Sequence, residues 1–277
     1  MLWPAPSRPP ERHALAIVHE GLSWAVKRGF DIAVSAAVLL SLLPLIAVLA
    51  AAIKLDSRGP VFYRARRVGY KGRPLHMLKF RKMHHDARGL ALTTDDDARF
   101  TRLGAWLAKT KLDELPQFWN VLVGDMSLIG PRPEDPGFVA MHAEDYEEIL
   151  LVRPGITGLS QIAFAEESRI LDDDDPLRHY LDRILPQKMR LDRLYATGFR
   201  LRIDIRILSW TTVAVFLRRP VAVHRQTGRM NLRRRPALRH PGPGLRLAAG
   251  EPEARSGSFA GEPAKGSPIS EPGRIAV

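Results

Sequence analysis

Residues 32–53 read IAVSAAVLLSLLPLIAVLAAAI, 22 positions without a charge and interrupted only by Ser35, Ser41 and Pro44. A straight helix of that length would reach about 33 Å, enough to cross a hydrocarbon core of roughly 30 Å. Pro44 stands near the middle, where a proline removes a backbone donor and clashes with the preceding turn. The run therefore predicts two arms meeting at a bend, each too short to cross alone. Lys27 and Arg28 precede it, and Lys54, Arg58, Arg64, Arg66 and Arg67 follow it, so neither flank is depleted in positive charge and both ends are expected on the same side. The expectation is a monotopic membrane protein with an N-terminal re-entrant helix-break-helix, Ser41 satisfying carbonyls freed at the bend. A soluble core helix would need apolar neighbours around all of its faces.

Working outward, four segments are expected: an N-terminal segment 1–26, the re-entrant helix 27–56, a cytoplasmic domain 57–217 and a basic disordered tail 218–277. Residues 13–26 have the pattern of an amphipathic helix and lack a signal-peptide cleavage site. Residues 61–63 and 75–80 flank a glycine-containing turn and predict a hairpin. Helical spacing recurs over 97–108, 118–123, 143–152 and 185–194, and residues 201–217 form a further amphipathic stretch suited to a membrane surface. Residues 130–137 read as a proline-rich loop and 153–158 as a rigid turn. The fold class is mixed α/β, mainly helical, with amphipathic surface helices.

The chain has 277 residues with 42 Lys+Arg against 30 Asp+Glu, a net charge of +12, and no cysteine. Disulfides, thiolate metal sites, iron-sulfur clusters and a cysteine nucleophile are thereby excluded. Residues 218–277 hold 12 basic and 4 acidic residues, so most of the excess charge is local to the tail, where proline, glycine, serine and arginine predominate.

The segment 109–117, KTKLDELPQ, sets adjacent carboxylates Asp113 and Glu114 between lysines and a proline. Pro116 fits a helix only in its first turn, which predicts a helix starting near Leu112 or Asp113 and puts Asp113 at its N-terminus. That position suits a capping acid as well as an ionised functional carboxylate. Around it stand groups suited to phosphate: Arg67, Lys79, Arg81, Lys82, Arg99, Arg102, Lys111, Arg132 and Arg153. Arg132, between Pro131 and Pro133, and Arg153, before Pro154, project from stiff turns that lose little entropy on binding an anion. Asp125 could cap 126–129 or join a metal shell, and turn or capping duty is the preferred reading. No Walker loop, dinucleotide fingerprint or paired-histidine metal motif is present.

Taken in order, Lys27-Arg28-x-Phe30-Asp31 before an apolar run with a central proline, Arg67-x-Gly69, Lys79-Phe80-Arg81-x-Met83, Leu112 to Gln117, Asn120 to Ser127, Gly130-Pro131-Arg132-Pro133 and Arg153 to Gly158 resemble the bacterial sugar transferase family, the monotopic polyprenyl-phosphate phosphoglycosyl transferases. The resemblance covers about residues 25–217. It implies an Mg²⁺-dependent enzyme at the cytoplasmic face of the bacterial inner membrane, with 57–217 as its catalytic domain. Such an enzyme moves a sugar 1-phosphate from a UDP-sugar to undecaprenyl phosphate and so initiates exopolysaccharide or another lipid-linked glycan. Asp113 would be the nucleophile, forming an aspartyl-phosphosugar intermediate, and Glu114 would complete the dyad, both helping to hold Mg²⁺. Arg67, Lys79, Arg81, Lys111, Arg132 and Arg153 would bind substrate phosphates, and Ser41 and Pro44 would form the membrane bend.

Three residues depart from the family pattern: Leu43, where a serine usually precedes the bend proline; Ala108, where an arginine is frequent; and Lys111, where serine or threonine is usual. The 26 residues ahead of the motifs imply the minimal form of the family. Membrane lipid is an expected partner, nucleic acid is not, and homo-oligomerisation is left open. The rival reading is a membrane-anchored scaffold or anion-binding protein without catalysis, using the arginine-rich tail. Neither the sugar nor the pathway is named by any motif.

Overall fold

In the computed structural model, which describes residues 17–232 apart from 88, 90–91, 94–96, 166–174, 199–200, 216 and 218, the apolar run is two helices. Helix α1 (Ile17–Ser41) and helix α2 (Leu43–Asp56) meet at an angle of 61°. Pro44 is in the first turn of α2, where its missing N–H leaves no hydrogen bond unmade. Ser41 ends α1 exposed to solvent. The bend thus comes from the proline restarting the helix, and the expected bond from Ser41 to a freed carbonyl is not among those formed by the described residues. Helix α1 also runs through the boundary expected at 26/27, so the amphipathic stretch and the first apolar arm are one element. Among the described residues no single helix is long and apolar enough to cross a membrane.

The base of α1 is rooted by charge. Lys27 is buried and donates to the Ile129 carbonyl (3.1 Å) and to Asp204 (2.6 Å), while the single Tyr195 hydroxyl proton lies between the same two acceptors (3.0 and 2.8 Å). One turn further on, Asp31 accepts from the Leu128 N–H (3.2 Å). Arg28 donates to the carbonyls of Val121 (2.6 Å) and Leu122 (2.9 Å). The tip is different: Leu40 is 73% exposed, and Leu43 and Val48 are exposed with it. Burying one such side chain is worth about 1.5–3 kcal/mol, so this tip forgoes that gain in water.

Strands β1 (Phe62–Val68) and β2 (Pro74–Phe80) form the expected antiparallel hairpin, with Phe62 opposite Phe80 and Val68 opposite Pro74. Helix α3 (Arg102–Thr110), capped by the Thr101 side chain, is followed by a 3-10 turn at Leu112–Glu114 and by α4 (Gln117–Val123). A small core of Leu49, Ile53, Phe80 and Leu107, flanked by Leu112 and Leu115, clamps α2 between the hairpin and these helices. The residues read as a capped segment at 126–129 and a turn at 153–158 contain strands β3 (Ser127–Ile129) and β4 (Gly155–Thr157), paired in parallel. Their contact is so close that a Cβ on Gly130 or Gly155 would collide with the opposite backbone. Asp125 is exposed and caps nothing that the structure describes.

Helices α5 (Pro136–Met141), α6 (Ala143–Ile149) and α7 (Leu159–Ala163) follow, then α8 (Pro176–His179), a π-helical turn, α9 (Leu185–Thr197) and α10 (Leu201–Val215). The start of the expected disordered tail is ordered: β5 (Val221–Val223) and β6 (Met230–Leu232) form a hairpin whose Val221 and Met230 join the main core with Leu159 and Leu191. Apolar alternation inside an arginine-rich composition is the reason. Residues 233–277, the remainder of that tail, lie outside the described residues.

Candidate active site

The site is built where the chain changes direction between α3 and α4. Lys111 does this alone, in the left-handed conformation (φ 60°, ψ 14°), closing α3 and opening the turn that carries the two acids. A non-glycine residue there costs about 1–2 kcal/mol, and such strain collects at functional sites. Asp113 is therefore in a 3-10 turn rather than at the first residue of an α-helix. Helix α4 starts at Gln117, with Pro116 as its N-cap rather than inside its first turn; the 3-10 turn at Leu112–Glu114 takes the place of the expected earlier start.

Glu114 is the paired member of the dyad. Lys79, from β2, reaches it at 3.0 Å, and Arg132, from the turn after β3, at 3.6 Å. Burial alone would raise the Glu114 carboxyl, but Lys79, Arg132 and Lys111 together overcome it and hold the group well below the usual carboxylate range. Asp113 is only 2% exposed, and its nearest cation, Lys82, is 3.7 Å away. Burial pushes the Lys82 ammonium below its ordinary value, against the pull of Asp113. Gly104 makes this placement possible, since any Cβ there would collide with the Lys82 carbonyl, and the Thr101 N–H holds that carbonyl at 3.1 Å. Lys82 is one of the nine basic groups that the sequence sets around the dyad; its sign of importance is its place three residues beyond Lys79, just past the end of β2.

Other expected phosphate groups are committed elsewhere. Arg81 is buried and donates to the carbonyls of Ser57 (2.7 Å), Arg58 (2.9 Å) and Ile53 (3.3 Å) and to the Ser57 hydroxyl (2.9 Å). It closes the C-terminal end of α2, where unpaired carbonyls attract a cation. Arg153 donates from Nε to the Gly124 carbonyl (3.0 Å) and stacks over Tyr70. That places it at the far end of α4, about 10 Å along the helix from the dyad. Arg67 pairs with Asp135 (2.9 Å), whose carboxylate also caps α5. The structure thus brings Asp113, Glu114, Lys79, Lys82, Lys111 and Arg132 together and leaves Arg67, Arg81 and Arg153 outside that group.

Behind Arg132 the turn is held by a buried network. Glu134 accepts from Lys188 (2.8 Å) and Tyr180 (2.9 Å). Asp192 accepts from the Ser160 hydroxyl (2.6 Å) and from the Arg132 backbone N–H; burial pushes its carboxyl up to about 7, against the Ser160 bond and Lys188.

The residues fit a divalent cation in part. No group of three or more histidine or acidic side chains among the described residues is arranged to hold a metal. Magnesium, however, is commonly held by one or two carboxylates together with substrate phosphates. Asp113, with no cation at hydrogen-bond distance, keeps lone pairs for this; Glu114 is already neutralised.

A buried carboxylate among Lys79, Lys82, Lys111 and Arg132 is an arrangement chemically suited to anionic, phosphate-like groups. The model of the bacterial sugar transferase family matches residues 22–218, and the chain belongs to that family. It is 39% identical over 194 residues to an undecaprenyl-phosphate glucose phosphotransferase of Komagataeibacter xylinus, covering 67% of this chain and 35% of the relative. It is 39% identical over 191 residues to a UDP-N-acetylgalactosamine-undecaprenyl-phosphate N-acetylgalactosaminephosphotransferase of Aeromonas hydrophila, covering 67% and 42%. It is 37% identical over 208 residues to the exopolysaccharide production protein PSS of Rhizobium leguminosarum bv. phaseoli, covering 71% and 98%. The chain thus spans less than half the length of the first two relatives and nearly all of the third.

Proposed function

We propose that this protein is a phosphoglycosyl transferase that moves a sugar 1-phosphate from a UDP-sugar to undecaprenyl phosphate, initiating exopolysaccharide or another lipid-linked glycan. The observation that carries the reading is the Asp113 carboxylate: buried, ringed by cations, and with its nearest cation at 3.7 Å rather than in a closed salt bridge. A carboxylate needs no base to attack phosphorus. In the first step an Asp113 oxygen bonds to the phosphorus next to the sugar, and the bond from that phosphorus to the bridging oxygen breaks. UMP leaves with the electron pair. In the second, an oxygen of the polyprenyl phosphate attacks the same phosphorus and Asp113 departs unchanged.

Lys79, Lys82, Lys111 and Arg132 offset the charge brought together in both steps, while Glu114 holds Lys79 and Arg132 in place. Bound Mg²⁺, held by Asp113 and substrate phosphate oxygens, would supply further charge neutralisation. The exposed apolar tip of α1 and α2 supports a re-entrant membrane anchor at the cytoplasmic face of the inner membrane. Trp106 and Trp119, exposed on the helices either side of the dyad, fit the same interface, where tryptophan is favoured. One substrate is soluble and the other is a long isoprenoid, so a site at that boundary reaches both. The relatives' printed sugars differ, so the donor is proposed at the level of a UDP-sugar.

The test is Asp113→Asn in reconstituted membranes with labelled UDP-sugars. Release of UMP should fall at least about a thousandfold, as losses of nucleophiles do, with the protein still membrane-bound. Full activity in the variant would refute the reading.

A further inference from the structure

Gln117 opens α4 and is 1% exposed, yet its side-chain Nε2 has no hydrogen-bond partner. Leaving a buried donor unpaired costs about 1–3 kcal/mol, and such groups in native proteins call for a specific explanation. The next buried polar side chain of the same helix behaves in the ordinary way. Asn120 donates to the His76 carbonyl (3.0 Å) and accepts from the Leu78 N–H (2.8 Å), tying α4 to β2.

The position of Gln117 supplies the explanation. The 3-10 turn at Leu112–Glu114, the right-handed Leu115 and Pro116, and α4 form one continuous right-handed helical path. On that path Gln117 lies about one turn beyond Asp113 and Glu114, at i+4 and i+3, the spacings that bring side chains together. Asp113 and Gln117 are both buried, whereas Trp119 is 52% exposed. Glu114 already has Lys79 and Arg132 against its Oε1, at 3.0 and 3.6 Å.

On the transferase reading, we infer that Gln117 is a further catalytic residue, whose Nε2 donates a hydrogen bond to a non-bridging oxygen of the phosphoryl group while that group is transferred to and from Asp113. Gln117 makes and breaks no covalent bond. Its amide is neutral, so it adds directional stabilisation where charge spreads over the equatorial oxygens without adding a fifth cation to Lys79, Lys82, Lys111 and Arg132. The unmet donor of the resting protein is then the donor that the reacting group completes. Removing one such preorganised donor typically lowers kcat by about 10²–10³.

The experiment uses Gln117→Met, which keeps the length and volume of the side chain, and Gln117→Glu, which replaces the donor by an acceptor. Each is assayed in the full chain in membranes, with UDP-glucose and UDP-N-acetylgalactosamine as donors. UMP release is followed with and without undecaprenyl phosphate, beside thermal unfolding. The expected result for Gln117→Met is a fall in kcat of about a hundredfold, a smaller change in KM for the UDP-sugar, and a Tm equal to or above that of the wild type. Gln117→Glu should lose at least as much turnover. Wild-type turnover in Gln117→Met overturns the inference alone. So does a Tm that falls together with turnover, because that marks a structural bond. No UMP release by the wild type overturns the transferase reading, and the inference with it.

Discussion

Both ends of α4 are crowded with basic side chains, yet the two ends use them differently. At the C-terminal end Arg28 donates to the carbonyls of Val121 and Leu122, and Arg153 donates to that of Gly124. Burial lowers the Arg28 guanidinium, and the like charge of Arg153 lowers it further; the two are held together because the helix end offers several carbonyls. At the other end Lys82 stops 3.7 Å short of Asp113, and the Gln117 amide has no partner. One cluster is complete within the protein; the other keeps an unmet donor, which on the transferase reading a ligand would complete. Arginines that look equivalent in the sequence are thereby sorted into structural and reactive sets.

The largest effect that would sharpen this contrast is expected from Glu114→Gln. It leaves Lys79 and Arg132 facing each other without their counter-charge. Breaking a buried pair from one side costs about 3–5 kcal/mol, so both the thermal midpoint and UMP release should drop steeply. A variant with wild-type stability would show that the pairs at 3.0 and 3.6 Å do not hold the site.

Next comes the direct contrast of Arg132→Met with Arg153→Met. The first should lower turnover strongly and lower Tm less than Glu114→Gln does, because Glu114 keeps Lys79 at 3.0 Å. The second should cost about 1 kcal/mol of stability, the ordinary net worth of a hydrogen bond to a half-buried acceptor, while the folded protein keeps its turnover. The reverse pattern, read from kinetics and thermal unfolding of the two variants, would break the division between the two ends of α4.

A smaller effect is expected from pH. Asp192, beneath the Arg132 turn, binds its proton up to about pH 7 when folded, whereas an unfolded aspartate releases it near pH 4. The groups that face it are Ser160, Lys188, Glu134 and the Arg132 backbone. Because the folded state binds more protons in that window, stability is greatest at the acid side and declines as pH rises towards 7. The Tm of the wild type should therefore fall between pH 5 and pH 7.5, and Asp192→Asn should flatten that slope. An unchanged slope in the variant would assign it to other groups.

The smallest effect is expected from the C-terminal region. Deleting residues 233–277 should leave UMP release unchanged. Deleting 221–277 should lower Tm, because Val221 and Met230 are buried in the main core. Absence of UMP release from the full chain, with loss of anion binding on the shorter deletion, would favour the tail-based scaffold.

The bend at Pro44, the hairpin through Lys79 and the pairing of acids at 113 and 114 were legible in the sequence, because each rests on a local rule: proline chemistry, turn residues, adjacent carboxylates. The parallel contact of β3 with β4 was not, since strands of three residues carry no periodicity and their pairing is set by glycines 25 residues apart. The commitment of Arg81 to the end of α2 was equally hidden, because the carbonyls it meets belong to a helix more than twenty residues upstream. Gln117 stood in view within the segment that carries the dyad, and only the three-dimensional structure shows that its donor is unmet. The hairpin at 221–232 was masked by composition, where arginine and glycine outweighed two buried apolar residues.

The most direct measurement is to trap the enzyme with a UDP-sugar and Mg²⁺ in the absence of polyprenyl phosphate, then locate any added mass by peptide mass spectrometry. The account predicts a phosphosugar on the peptide containing Asp113, formed in step with UMP and discharged on adding undecaprenyl phosphate. Continued turnover with no adduct at Asp113 under trapping conditions would contradict it.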